Sequence, residues 1–263
     1  MTELVEVTRE GAVATVWLNR PERMNAMSLA MWDALTAALA EVNADRDLRC
    51  LVLRGRPRAD GRVAFGAGAD IAEFSEHRAT AAQAAAYAGR MEPAIEALGG
   101  SPHPSVALIQ GACTGAGLEL ALHCDLRIAA GGARLGVPIQ RIGHGLPLSA
   151  LRPLVQLCGR AVALELLLEG RLFEAEEALA KGLVNRVVPA EAAPGEALAT
   201  ARRIAKGAPL AHRFHRQATA RALNPEAYSP AELTGPYALC DSEDYREGVR
   251  AFLAKEEPLF KGS

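Results

Sequence analysis

Residues 111–120 of this chain read Gly111-Ala112-Cys113-Thr114-Gly115-Ala116-Gly117-Leu118-Glu119-Leu120, a run of small residues that ends where a helix is predicted to begin. An earlier run, Ala64-Phe65-Gly66-Ala67-Gly68-Ala69-Asp70-Ile71, has the same character. Small residues let backbone N–H groups approach a ligand, and a helix N-terminus adds partial positive charge. If the two turns face each other, their amides form an oxyanion hole. If they do not, they are ordinary glycine-rich turns.

The segments around these turns alternate between strand and helix patterns. Strands are predicted over residues 4–8 and 13–18, which form a hairpin, and over residues 50–53, 105–109 and 126–129. Helices are predicted after Ser28, which can cap the first turn, and over residues 80–98 and 118–123. Strands that alternate with helices indicate an α/β layer architecture.

Beyond Pro147 the strand patterns give way to helices, predicted over residues 148–157, 161–168, 174–181 and 196–206. The tail is predicted to be helical over residues 209–253, except around two X-Pro breaks. We therefore predict an α/β core over residues 1–190 and a helical region over residues 191–263.

Composition excludes several classes of function. The 263 residues carry 29 Lys and Arg against 31 Asp and Glu. This balance does not suggest a basic surface for binding phosphates, so nucleic acid is not expected as a partner. The five cysteines are odd in number and lack CxxC spacing, which predicts buried reduced thiols and no metal site. The N-terminus lacks a signal-peptide core, and no apolar run reaches membrane-spanning length, so we expect a cytoplasmic protein.

The tripeptide His123-Cys124-Asp125 contains three residue types that can bind a metal ion. Adjacent side chains on a helix point in different directions, so we expect a surface histidine beside a core cysteine instead of a metal site.

Five motifs in order resemble the enoyl-CoA hydratase/isomerase (crotonase) superfamily, and the resemblance runs almost end to end. They are listed here in chain order: Leu18-Asn19-Arg20-Pro21 with Asn25-Ala26, the loop at 64–71, the loop and helix at 111–130, Gly170-Arg171 with Gly182-Leu183-Val184, and the tail around Ser242-Glu243-Asp244 and Phe252-Leu253. Five motifs at the family's spacing are far more specific than any one of them.

The resemblance implies a crotonase-like spiral of ββα units with a C-terminal helical trimerisation region, assembled as a homotrimer or a dimer of trimers. It also implies an acyl-CoA thioester as substrate, with coenzyme A entering as part of that substrate and no separate cofactor. By position, the amides of Ala69 and Ala116 hold the thioester oxygen. The other implied substrate or CoA contacts are Arg23, Met24, Ala67, Asp70, Ile71 and Ile139, with Phe260 and Lys261 reaching the nucleotide end from a neighbouring subunit.

The carboxylates distinguish the reactions open to such a chain. Hydratases of the family use two glutamates, and the first matches Glu119, although a glutamate in the first turn of a helix is also favoured by the helix dipole alone. The position of the second glutamate holds Ile139, which can neither accept a proton nor hold a water molecule. His144 lies five residues further on and is a candidate substitute, because its ordinary pKa suits proton transfer at neutral pH. A surface loop histidine is the alternative interpretation.

Three functions remain open on the sequence alone. The first is an enoyl-CoA hydratase-like lyase with an altered second acid/base group. The second is an isomerase that moves a double bond in an enoyl-CoA with one carboxylate. The third is an acyl-CoA binder without catalysis, which the presence of Glu119 disfavours, or a member with an additional nucleic-acid role, which the nearly balanced charge disfavours.

Overall fold

The strands form two sheets in the computed structural model, which describes residues 3–263. In chain order the strands are β1 (Val5–Glu10), β2 (Val13–Leu18), β3 (Cys50–Gly55), β4 (Ser105–Ile109), β5 (Ala112–Thr114), β6 (Leu126–Ala130), β7 (Arg134–Gly136), β8 (Phe173–Glu174) and β9 (Arg186–Val188). The larger sheet has the order β1-β2-β3-β4-β6-β9, and the smaller has the order β5-β7-β8. Strands β1 and β2 pair antiparallel as the predicted hairpin, while the other pairs of the larger sheet are parallel.

Ten α-helices connect and cover these strands within residues 3–263. They are α1 (Leu29–Ala44), α2 (Phe74–His77), α3 (Ala81–Gly99), α4 (Ala116–Leu122), α5 (Leu148–Glu169), α6 (Ala175–Ala180), α7 (Ala193–Ala205), α8 (Pro209–Ala222), α9 (Pro230–Ala238) and α10 (Glu243–Ala254). Short 3₁₀ turns span Pro21–Arg23, Ile71–Glu73, Ile139–Ile142 and Leu239–Asp241. The predicted cap of α1 is confirmed, because Ser28 accepts a hydrogen bond from the amide of Met31. Helix α5 is two helical segments joined at Gly159, whose φ of 74° interrupts the helix as predicted.

Both faces of the larger sheet are buried. Along β3, Leu51 and Leu53 face the core that contains α1, α3 and α4, whereas Cys50 and Val52 face a second core closed by α7. Alternate residues of a strand point to opposite faces, so a parallel sheet covered on both sides has apolar residues at every position. The predicted α/β layer architecture is therefore confirmed, and the proposed division at residue 190 stays a prediction.

Several local predictions were wrong. Residues 112–114 form β5 inside the predicted turn, and α4 begins at Ala116, two residues before its predicted start. Cys50, Cys113 and Cys124 are buried as predicted. The prediction was wrong for the other two cysteines, since Cys158 is half-buried and Cys240 is exposed. The ring of His123 is also half-buried rather than on the surface, because its Nδ1 lies 2.9 Å from the carbonyl oxygen of Glu119.

Across residues 3–263, no helix combines the length and the apolar character needed to cross a bilayer. In the same residues, no group of three or more His, Cys, Asp or Glu side chains is arranged to hold a metal ion.

Candidate active site

The two glycine-rich loops lie side by side. The amide of Gly66 donates to the carbonyl of Ala112 over 3.1 Å, and the amide of Thr114 donates back to the carbonyl of Gly66 over 2.9 Å. A Cβ atom on Gly117 would lie 2.2 Å from the carbonyl oxygen of Gly66, closer than real Cβ atoms approach such an oxygen. The loops therefore meet because glycine occupies both sides of the contact.

Two amides at one cavity, one from each loop, have no acceptor among the described residues. These are the amides of Ala69 and Ala116, and both alanines line the same cavity, which has a volume of about 290 Å³. The backbone around Ala69 is fixed by its neighbours, because Met27 donates to Gly68 and accepts from Asp70, each over 2.8 Å. Two fixed and unpaired N–H donors at one cavity can bind an oxygen that carries negative charge.

Glu119 lies in the first turn of α4 and lines this cavity. The residue is 6% exposed, and its Oε1 has no hydrogen-bond partner in the part of the chain that the structure describes. Burial raises the pKa of Glu119 to about 7, an effect that nearby Arg78 opposes and Glu92 reinforces. At neutral pH this carboxyl group can both accept and return a proton, as a general acid/base must.

The raised pKa of Glu119 predicts a stability effect that depends on pH. Between the ordinary value of 4.5 and about 7, the folded protein binds a proton at Glu119 that the unfolded chain has lost. The free energy of unfolding of the wild type should therefore fall, relative to Glu119→Gln, as pH rises through this window, by up to roughly 3 kcal/mol. Denaturation of both proteins at pH 4.5, 6 and 8 measures the difference. A difference that does not change with pH would contradict the raised pKa.

The walls of the cavity are largely apolar. Ile139 lies half-buried in the 3₁₀ turn Ile139–Ile142 and lines the cavity together with other apolar side chains, among them Ile71, Phe74, Tyr87, Met91, Ile142 and Leu146. Among the described residues that line it, Glu119 is the only carboxylate. The structure thus places Ile139 at the cavity and leaves Glu119 without a second carboxylate beside it.

His144 also lines the cavity, but one of its ring nitrogens is occupied. Its Nε2 lies 2.6 Å from Nη2 of Arg78. An arginine can only donate, so Nε2 must accept, and the ring is neutral with its proton on Nδ1. Burial and the positive charge of Arg78 lower the pKa of His144, consistent with this assignment. In this arrangement Nε2 cannot take a proton from a substrate.

The other predicted contacts divide into three groups. Ala67 and Ile71 line the cavity. Asp70 pairs instead with Arg20 over 2.7 Å and caps the turn Ile71–Glu73. Partial burial raises the pKa of Asp70. Hydrogen bonds from Arg20 and from the Ala72 amide outweigh this effect and lower the pKa below its ordinary value. Arg23 and Met24 precede the first loop: Met24 is 52% exposed, and its carbonyl accepts from the amide of Ala67.

Phe260 and Lys261 lie outside the lining of the cavity in their own chain. The ring of Phe260 packs beside Gly248 of α10, and the amide of Lys261 donates to the carboxylate of Asp244 over 2.7 Å. Their predicted role concerns a neighbouring subunit and stays a prediction.

Comparison with known proteins identifies the family of this chain. A family profile described as enoyl-CoA hydratase/isomerase matches residues 8–263. The chain belongs to the enoyl-CoA hydratase/isomerase family. A crystal structure of an enoyl-CoA hydratase/carnithine racemase from Magnetospirillum magneticum superposes with a TM-score of 0.95 at 46% identity, covering 100% of this chain and 97% of the other. The crotonase-like fold that the sequence implies is thereby confirmed.

Two curated relatives in the family are named as hydratases. The (E)-benzylidenesuccinyl-CoA hydratase of Thauera aromatica is 35% identical over 262 residues, covering 95% of this chain and 96% of the relative. The mevalonyl-coenzyme A hydratase of Beauveria bassiana is 35% identical over 265 residues, covering 95% and 92%. The alignments with these two relatives each cover 95% of this chain, which includes the two loops and Glu119.

Sequence reasoning missed Arg78, Phe74 and Tyr87 at this site. Phe74 and Arg78 are four residues apart across one helical turn, and Tyr87 follows on α3. The spacing of Phe74 and Arg78 places them on one helix face, but nothing in it shows that the face borders the cavity.

Proposed function

We propose that this chain is an enoyl-CoA hydratase-like enzyme that stabilises a thioester enolate between the amides of Ala69 and Ala116. One observation carries the proposal: the two amides without an acceptor and the buried carboxyl group of Glu119 meet at one cavity. The hydratase names of the relatives support a lyase. Coenzyme A enters as part of the substrate, and no separate cofactor is needed.

In this proposal the amides act when charge reaches the thioester oxygen. Glu119 takes a proton from water, the hydroxide oxygen bonds to C3, and the electrons of the double bond move onto the thioester oxygen. The Ala69 and Ala116 amides receive that charge, and losing one such donor typically costs roughly 3 kcal/mol of barrier. Protonated Glu119 then returns its proton to C2, which completes the addition of one water molecule.

The cavity also favours a second candidate, double-bond isomerisation. One carboxylate suffices for that reaction, because Glu119 can remove a proton from C2 of a 3-enoyl-CoA and return it to C4. No second carboxylate is needed, and Ile139 together with the apolar walls keeps water away from the intermediate. Isomerisation stays a candidate because the described residues that line the cavity include no second carboxylate.

A side-by-side assay distinguishes the two reactions. Wild-type protein is given crotonyl-CoA, whose hydration is followed by loss of the conjugated double bond, and 3-hexenoyl-CoA, whose isomerisation creates that bond. Hydration supports the hydratase, and isomerisation alone supports the second candidate. Turnover of neither substrate, together with no binding of any acyl-CoA, would overturn the proposed function.

Introducing the missing carboxylate should increase hydration. We expect Ile139→Glu to raise kcat for crotonyl-CoA above the wild-type value, by less than the roughly 10²–10⁴-fold that general acid/base catalysis contributes. The gain is reduced because burial in an apolar niche raises the pKa of a new carboxyl group. Ile139→Gln is the matched control, with nearly the same shape and no titration. Equal rates for both variants would show that a carboxylate at this position does nothing for hydration.

We also propose that the chain assembles as a homotrimer or a dimer of trimers through its C-terminal helices. On α10, Phe252 is 83% exposed and Leu253 is 76% exposed, an apolar surface that a subunit interface would cover. Light scattering should give a mass three or six times 27.8 kDa. A mass of one chain at micromolar concentration would contradict the assembly and leave Phe260 and Lys261 without access to a neighbouring site.

A further inference from the structure

The guanidinium group of Arg78 is held at the wall of the cavity. Arg78 follows α2 directly, and its guanidinium carbon lies 4.4 Å from the ring centre of Phe74 and 4.8 Å from that of Tyr87. Cation–π contacts with two aromatic rings orient a guanidinium without neutralising its charge. Arg78 therefore contributes a fixed positive charge to an otherwise apolar wall.

This charge has no carboxylate partner. Across residues 3–263, no Asp or Glu oxygen lies within 4 Å of the Arg78 guanidinium, whose hydrogen-bonded neighbour is Nε2 of neutral His144. Among other half-buried arginines, Arg20 binds Asp70 and Arg216 binds Asp125, at 2.7 and 2.8 Å. Arg54 also lacks a carboxylate, but its guanidinium bonds to Gln110 and stacks on Trp17 outside the cavity, whereas Arg78 lines the cavity. A partly desolvated guanidinium is stabilised by an anion, and planar carboxylates match its paired N–H donors.

The anion that completes this site must enter the cavity. Arg78, Ala69, Ala116 and Glu119 line the same cavity of about 290 Å³, so a group that reaches Arg78 shares this cavity with the thioester carbonyl. Glu119 does not serve as the partner, since it is not within ion-pair distance and its Oε1 is unpaired. A carboxylate carried by the substrate has the geometry that these donors match.

We infer that Arg78 selects acyl groups that carry a carboxylate, so that the substrate is the mono-CoA thioester of a short dicarboxylic acid. This inference rests on the proposed function, because it takes the thioester to lie at Ala69 and Ala116. Arg78 donates two hydrogen bonds to the carboxylate, and Phe74 and Tyr87 hold the guanidinium plane in position. An acyl group that ends in a methyl group leaves the same guanidinium without a partner.

Binding of unreactive thioesters tests the inference without relying on turnover. Titration calorimetry compares two pairs with equal numbers of acyl carbons, succinyl-CoA with butyryl-CoA and glutaryl-CoA with valeryl-CoA, and free CoA serves as the reference. For wild type we expect the carboxylated member of at least one pair to bind roughly tenfold tighter or more, as charge-assisted hydrogen bonds give. Arg78→Met should abolish this preference, and Arg78→Lys should keep part of it. Arg90→Met, an arginine on α3 outside the cavity lining, is the matched control and should keep all of it.

The possible failures are distinct. Equal binding of both members in each pair by wild type would overturn the inference and leave the proposed function standing. If Arg78→Met weakened free CoA, valeryl-CoA and glutaryl-CoA alike, Arg78 would serve the CoA phosphates, and the inference would again be overturned. Binding of none of these thioesters would instead overturn the proposed function. The comparison of thioester pairs on the wild type needs no variant, so it tests the inference even if Arg78→Met folds poorly.

Discussion

Glu119→Gln is expected to lower kcat for any enoyl-CoA that the wild type turns over by roughly 10²–10⁴-fold. The substitution keeps the size of the side chain but removes the group whose pKa burial raises to about 7. Among the described residues that line the cavity, no other carboxylate can replace it, and the Nε2 of His144 is held by Arg78. The measurement is kcat for crotonyl-CoA and 3-hexenoyl-CoA with both proteins.

A matched control separates chemistry from general charge. Glu92 is an exposed carboxylate on α3 that is close enough to raise the pKa of Glu119, yet it does not line the cavity. We expect Glu92→Gln to change kcat by no more than a few-fold, and Glu119→Gln to bind unreactive acyl-CoA as the wild type does. Wild-type rates in Glu119→Gln would show that another group carries the proton, and His144 would then be the first candidate.

Gly117→Ala should cost both activity and stability. The new methyl group would lie 2.2 Å from the carbonyl oxygen of Gly66, and because that oxygen belongs to the backbone, the two loops must move apart. Overpacking of this kind typically destabilises a protein by about 1–3 kcal/mol. Displacing a reacting group by about 1 Å can cost roughly 100-fold in rate. We therefore expect a lower melting temperature and a fall in kcat of that order, with the Ala116 amide moved away from the Ala69 amide.

Gly89→Ala is the control for this substitution. Gly89 lies within α3, and a Cβ atom there meets nothing within 4 Å. Alanine in a helix interior is favoured over glycine by about 1 kcal/mol, so this variant should be slightly more stable and fully active. If Gly117→Ala were as stable and active as Gly89→Ala, the close contact of the loops would have no bearing on the site.

The sequence predicts five of the six strands of the larger sheet, because these strands are apolar at regular spacing. It misses β9 and the whole smaller sheet, whose strands have only two or three residues each, and β8 and β9 lie beyond Pro147, where only helices were predicted. Residues of β3 such as Leu51 and Val52 face two different cores, which explains why the strand reads as a continuous apolar run. The hairpin and the cap at Ser28 were also predicted, since both depend on neighbouring residues. Interactions between residues close in sequence can be predicted from the sequence alone.

The parts that could not be predicted depend on contacts distant in sequence. Nothing around Gly66 shows that its carbonyl accepts from Thr114, so the meeting of the loops stays a hypothesis until the structure is known. Arg78 is unremarkable in sequence, and it becomes informative only beside Phe74, Tyr87 and His144. The early start of α4 follows from Gly115, whose φ of 51° and ψ of −120° turn the chain into the helix.

Part of the cavity wall is built from segments that contribute little to the cores. Helix α2 and the 3₁₀ turns Ile71–Glu73 and Ile139–Ile142 contain no buried residue, whereas every residue of α4 after Ala116 is buried. Side chains such as Ile71 and Ile142 can therefore be exchanged without opening a core. Under the proposed function, substitutions at Ile71 and Ile142 are expected to change acyl preference while Glu119 and the two loops stay in place.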